Sequence, residues 1–184
     1  IENNTSLTTL ASGVQYSVST GVVPVERPLE NHPSLETLYV GGGSILTLDG
    51  LGDMSELSSL SIWGNRISNF SGIGSMPNLR WIDAGSNRLT NIDAIVGAPN
   101  IESLYLWDNR IATLPSTDVL VTLTELTTLR LDHNRLTDAG IVSVSVLGNL
   151  ESFSAEWNDS LTDVSPLGGL LRLEWLNLSG TDVV

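Results

Sequence analysis

The chain has 184 residues and a formal charge of −13, with eight arginines and neither lysine nor cysteine. That balance excludes a P-loop, which requires its lysine, and lacks the basic stripe of a nucleic-acid backbone binder or an anionic-lipid binder. Without cysteine there is no disulfide framework, thiol nucleophile or cysteine zinc site, and no apolar run approaches the roughly 18 residues of a membrane span.

In chain order, Ile1, Leu7 and Leu10 fit the back half of a repeating unit. Gly13, Tyr16, Val18, Gly21, Val23 and Leu29 then occupy slots of the next one, with a strand expected near Ser17. From Leu35 the register is explicit. The opening apolar residues are Leu35, Leu57, Leu79, Ile101, Leu126, Leu150 and Leu173, spaced by 22, 22, 22, 25, 24 and 23 residues. Inside the units the pattern is L-x-x-L-x-L-x-x-N-x-L, as in Leu57, Leu60, Ile62, Asn65 and Ile67. The remainder of each unit places apolar residues every third position (Ile67, Phe70, Ile73, Met76). A period of three suits a 3₁₀-like return, because a helix would drift to 3.6. Each unit is therefore expected to run as a short strand, a tight turn and an irregular back.

Two units are longer. Residues 114–123 carry Pro115, Ser116 and Asp118, and predict a short capped helical turn. Residues 137–147 predict the same, with Asp138 as the cap. The last unit, from Leu173 through Leu178, stops midway. Residues 1–184 are thus expected to form a single domain that begins and ends inside repeats, a segment of a longer protein. Its uncapped ends would invite continuation or self-association.

No unit can bury its apolar residues alone, so the units must stack, each on its neighbours. Parallel strands about 4.8 Å apart would form one sheet, roughly 35 Å long for eight strands. Asn65, Asn87, Asn109, Asn134 and Asn158 recur where the strand turns. An amide carries both donor and acceptor, so these side chains are expected to point inward and satisfy the backbone of adjacent turns. Gly21, Gly43 and Thr181 interrupt that ladder.

The pattern resembles bacterial leucine-rich repeats of the internalin type, most clearly in Leu161-Thr162-Asp163-Val164-Ser165-Pro166-Leu167 followed by Leu170. The resemblance implies an α/β solenoid, an arc with a parallel concave sheet of about eight strands and a 3₁₀ or irregular convex side. It also implies a secreted or surface-exposed binding module that takes part in adhesion.

Strand residues between the inward apolar positions point to the concave side. All five tryptophans fall there: Trp63, Trp81, Trp107, Trp157 and Trp175, joined by Tyr39, Tyr105, Asp83, Arg130 and Asp132. These ten residues are the candidate ligand-binding face, since Trp, Tyr and Arg dominate recognition hot spots. Rings that merely cover backbone and pack across strands are the alternative. In that case truncating Trp63 or Trp107 would lower stability; in a recognition surface it would leave the melting temperature nearly unchanged. A protein partner is expected, with a glycan stacked on the same rings, or a structural spacer, as alternatives.

Arg66, Arg88, Arg110 and Arg135 share the slot after the ladder asparagine. At about 5 Å, neighbours would repel by somewhat under 1 kcal/mol in water. Asp83, Asp108, Asp132 and Glu156 are expected to offset this as a solvated ion-pair strip, the alternative being a site for carboxylate or sulfate groups. No catalytic residue is expected, because no nucleophile turn accompanies the serines and His133. No cofactor is expected either. Asp108, Asp132 and His133 are the nearest approach to a cation set, and they lack the EF-hand pattern, so no metal is expected.

Overall fold

The computed structural model describes residues 16–18, 21–23, 34–49, 51, 54–71, 73 and 76–183. Seven three-residue strands form one parallel sheet in chain order: β3 (Thr37–Tyr39), β4 (Ser59–Ser61), β5 (Trp81–Asp83), β6 (Ser103–Tyr105), β7 (Thr128–Arg130), β8 (Ser152–Ser154) and β9 (Trp175–Asn177). Pairing is in register throughout, so Tyr39 stands opposite Ser61, Ser61 opposite Asp83, and Asp83 opposite Tyr105. This sheet, left open at both edges, is that of a leucine-rich-repeat solenoid.

The eighth strand expected in this sheet is not part of it. Tyr16–Val18 (β1) is a strand, but it pairs antiparallel with Gly21–Val23 (β2) in a separate two-stranded sheet. The slots counted back from Leu35 hold Gly13 and Gly21 where other units have leucine and asparagine, so nothing specifies a stacked unit there. Ile1, Leu7, Leu10, Gly13 and Leu29 lie outside the described residues.

Inward positions make the core. Leu57, Leu60, Ile62, Ile67, Phe70, Met76, Ile82, Leu89, Leu106 and Phe153 are completely buried. On β9, Leu176 holds the equivalent slot and is 45% exposed. The described back is irregular chain and turns with three 3₁₀ segments, Asp93–Gly97, Ala139–Val146 and Ser165–Gly169, in keeping with the period of three. Residues 114–123 contain the one α-helical turn among the described residues, α1 (Thr117–Leu120), preceded by Ser116 at its N-cap position without a side-chain bond.

Each ladder asparagine ties two units together. The Asn109 amide oxygen accepts from Leu89 N–H at 2.9 Å, while its nitrogen donates to the carbonyls of Ala84 and Leu106, both at 3.0 Å. Asn65, Asn87, Asn134 and Asn158 repeat the arrangement. A second row does the same at the far edge: Asn78, Asn100 and Asn149 donate to Ser55, Pro77 and Thr124 carbonyls one unit back, each at 2.7 Å. Buried amides satisfied on both sides specify the stacking distance as well as stabilise it.

Asp138 does not cap its own helix. Its carboxylate reaches the next unit, accepting from Thr162 N–H at 2.7 Å, Asp163 N–H at 2.8 Å and the Thr162 hydroxyl at 2.8 Å. These bonds, the Asp163 and Thr162 backbone donors first, hold the carboxyl below its ordinary pKa.

Candidate functional site

Because the register is exact from strand to strand, side chains on the solvent face of the sheet stand in rows. One row reads Thr37, Ser59, Trp81, Ser103, Thr128, Ser152 and Trp175; the next reads Tyr39, Ser61, Asp83, Tyr105, Arg130, Ser154 and Asn177. Strands β4 and β8 carry only serine in both rows, and Ser61 and Ser154 are buried. Over these small residues, large side chains two strands apart meet.

Tyr39 and Trp81 meet edge to face across β4, with ring centroids 6.3 Å apart, and Trp81 meets Tyr105 in the same way at 5.9 Å. The Arg130 guanidinium lies 5.9 Å from the centre of the Tyr105 ring and 5.0 Å from that of Trp175, across β8. Tyr39, Trp81, Tyr105, Arg130 and Trp175 thus form an unbroken line of ring and cation contacts from β3 to β9. Edge-to-face pairs and guanidinium-over-ring contacts are both attractive and directional, so the line holds its shape. Tyr39 and Trp175 remain 51% and 41% exposed at its two ends.

Beside this line, Tyr105, Trp107, Arg130 and Asp132 surround an open depression of about 390 Å³. Arg130 forms no ion pair with Asp132 across it. Asp132 instead accepts from the Ser154 hydroxyl and, at 3.0 Å, from Glu156 N–H. Asp83 lies half-buried at the base of Trp107. It accepts from Gly85 N–H at 3.0 Å and from the indole N–H of Trp107, but burial outweighs these bonds and raises its carboxyl above the ordinary value.

Three of the five indoles rest on glycine. A methyl group added at Gly41 would come within 2.4 Å of the Trp63 ring, one at Gly85 within 2.1 Å of Trp107, and one at Gly180 within 2.5 Å of Trp157. Trp63 and Trp107 are therefore half-buried supports of neighbouring backbone as well as part of the face. The signal was present in the slot that reads Gly41, Trp63, Gly85, Trp107, an alternation at the repeat spacing.

Trp157 also stacks on His133, centroids 6.2 Å apart and planes 18° from parallel. Both residues, with Ser86 and Asp108, occupy a left-handed position just past the strand, at φ between 49° and 53°, where Gly42, Gly64 and Gly180 stand in other units. A bulky residue there is a true outlier.

The expected ion-pair strip does not form. Arg66, Arg88, Arg110 and Arg135 are exposed, and the only ion pair among the described residues joins Arg80 to Glu102 on another part of the surface. The acids expected to offset them are engaged elsewhere: Asp83 and Asp132 as above, Asp108 by the Ser86 hydroxyl at 2.7 Å, and Glu156 by the Asn177 amide at 2.8 Å. Asp108, Asp132 and His133, which the sequence brings nearest to a cation set, each have a different neighbour.

Comparison with known proteins agrees with this architecture. A family model described as "Leucine Rich repeats (2 copies)" matches residues 99–143. A search of curated proteins finds no match. Among solved structures, an internalin from Listeria monocytogenes is 26% identical over 76% of this chain, with a TM-score of 0.66. A leucine-rich-repeat protein of Leptospira interrogans is 26% identical over 80%, with a TM-score of 0.69. The plant peptide hormone receptor RGFR1, in complex with RGF2, is 26% identical over 80%, with a TM-score of 0.60. The chain spans only 39%, 38% and 24% of these three proteins. Leucine-rich repeats are in general scaffolds for binding other proteins. The repeat unit, the open parallel sheet and these likenesses give this chain the leucine-rich-repeat fold, similar to that of bacterial leucine-rich-repeat proteins, its 22-residue unit resembling that of the internalins.

Proposed function

We propose that the chain is a non-enzymatic binding module that recognises a protein partner through the aromatic-rich concave face, in adhesion or another interaction at the cell surface or outside the cell. The observation that carries this reading is the line Tyr39, Trp81, Tyr105, Arg130 and Trp175, continuous across all seven parallel strands. Aromatic rings and arginine, held rigid and partly exposed around a depression, have the composition of a recognition hot spot, because little side-chain entropy remains to be lost on binding. Trp63, Trp107 and Trp157 extend the surface, and Asp83 and Asp132 supply acceptors beside it. The likeness to a plant peptide hormone receptor in complex with RGF2 supports a protein ligand.

The test is selection of a random peptide display library against the immobilised chain, repeated with Arg130→Gln and Trp175→Ala. The wild type is expected to enrich related sequences and each variant to bind them at least about tenfold more weakly, with its melting temperature within about 2 °C of the wild type. Equal enrichment by wild type and variants, or binding confined to a glycan array, would overturn the reading.

A further inference from the structure

We propose that the arginine ridge on the lip of the sheet is a second binding surface, separate from the aromatic face, that takes an acidic stretch of a protein partner. Arg66, Arg88, Arg110 and Arg135 supply half of the chain's eight cations, placed at one repeat position on four successive units. Each has its backbone pinned: the N–H donates to Ile45, Ile67, Leu89 and Ile111 carbonyls respectively, one unit back, at 2.8–2.9 Å. The side chains are exposed, and none is hydrogen-bonded or ion-paired to a described residue. Four like charges at strand spacing, about 4.8 Å per unit, repel one another. No ion pair or hydrogen bond among the described residues uses their guanidinium groups.

The acids nearest in the repeat register form no ion pair with the ridge. Asp108, Asp132 and Glu156 are held by Ser86, Ser154 and Asn177. What the ridge offers is therefore a row of guanidinium groups, each with a planar fork of donors suited to carboxylate. The overall charge of −13 decides among anionic partners. A long, densely charged polyanion such as a nucleic acid or a highly sulfated glycan meets the repulsion of the whole molecule. A short acidic peptide segment reaches the ridge while presenting few charges to the rest.

The experiment uses the 184-residue chain and a fluorescein-labelled hexaglutamate peptide, read by anisotropy. Binding is expected at low salt and is expected to disappear between about 50 and 500 mM NaCl, as the screening length shrinks. Each of Arg66→Gln, Arg88→Gln, Arg110→Gln and Arg135→Gln should weaken it about two- to fivefold, and the fourfold variant should abolish it. Arg172→Gln, an exposed arginine off the ridge, controls for net charge and should leave it unchanged. Circular dichroism melts verify that each variant, the fourfold one included, is folded at the temperature of the binding assay. Failure of hexaglutamate to bind, equal loss with Arg172→Gln, or binding of a heparin fragment or single-stranded DNA but not of hexaglutamate would overturn the proposal. None of these outcomes depends on Arg130 or Trp175, so the ridge and the aromatic face stand or fall separately.

Discussion

At the scale of single residues, this molecule is held by side chains that act one unit away from their own. Removing Asn109 leaves Leu89 N–H without its acceptor in the interior and takes one of two amide donors from each of the Ala84 and Leu106 carbonyls, which Asn87 and Asn134 still reach. Asn109→Ala is therefore expected to cost about 1–3 kcal/mol, measurable as a shift in the urea midpoint. Two carboxylates show how environment sets the sign of a pH effect. Asp83, raised by burial, contributes stability that is fully present below the ordinary carboxylate pKa and is lost as the pH rises through its higher folded value. Asn in its place keeps an acceptor for Gly85 and Trp107 without the charge, so Asp83→Asn should melt higher than the wild type near neutrality. The difference should close as the pH falls through the carboxylate range. Asp138 is the opposite case: lowered by donors from the next unit, it contributes stability above the ordinary value that is lost as the pH falls through its depressed folded value. Asp138→Ala should melt lower than the wild type at neutral pH and show a weaker loss in acid. The ladder asparagines were legible from spacing alone. Asp138 was not, because its partners lie 24 and 25 residues ahead, where sequence proximity says nothing.

At the scale of elements, the strands are set by leucine spacing and the backs by a period of three, and both were legible from the chain. What the pattern did not reveal was pairing direction near Ser17. A three-residue strand alternates in the same way whether its neighbour is parallel or antiparallel, and β1 finds β2 across a two-residue connection. Contacts between backs are equally invisible in a period. Gly140 sits where an added methyl group would come within 2.1 Å of the Ala112 carbonyl oxygen. Since that neighbour is backbone, the units must separate, and Gly140→Ala is expected to cost about 1–3 kcal/mol in a thermal or urea melt. Gly85→Ala meets the Trp107 ring instead. The indole should swing outward into water, giving a red-shifted tryptophan emission together with a lower melting temperature. Unchanged emission would show that Trp107 does not depend on that glycine seat.

For the whole molecule, the stack is quasi-one-dimensional, its strands pairing only between neighbouring units, and the charge is strongly one-sided. With −13 charges on 184 residues, self-repulsion opposes the compact state, and the one ion pair among the described residues does little to relieve it. The melting temperature is expected to rise as NaCl is increased from about 10 to 200 mM, over which the screening length shortens from about 30 Å to under 10 Å. A melting temperature indifferent to salt would mean that the acids are better compensated than their hydrogen-bond partners indicate.

The sequence by itself determined the repeat, the solenoid, the inward leucines and asparagines, and the gathering of tryptophans on one side, because a fixed period converts position along the chain into position in space. Only the tertiary structure decided which of those tryptophans face solvent and which lie on glycine, that Arg130 sits between two rings rather than beside an acid, and that four arginines stand without their expected partners. Those outcomes depend on side-chain volumes one and two strands away and on competition for each carboxylate among several donors. Such competition is settled by distance and burial, which a linear pattern does not contain.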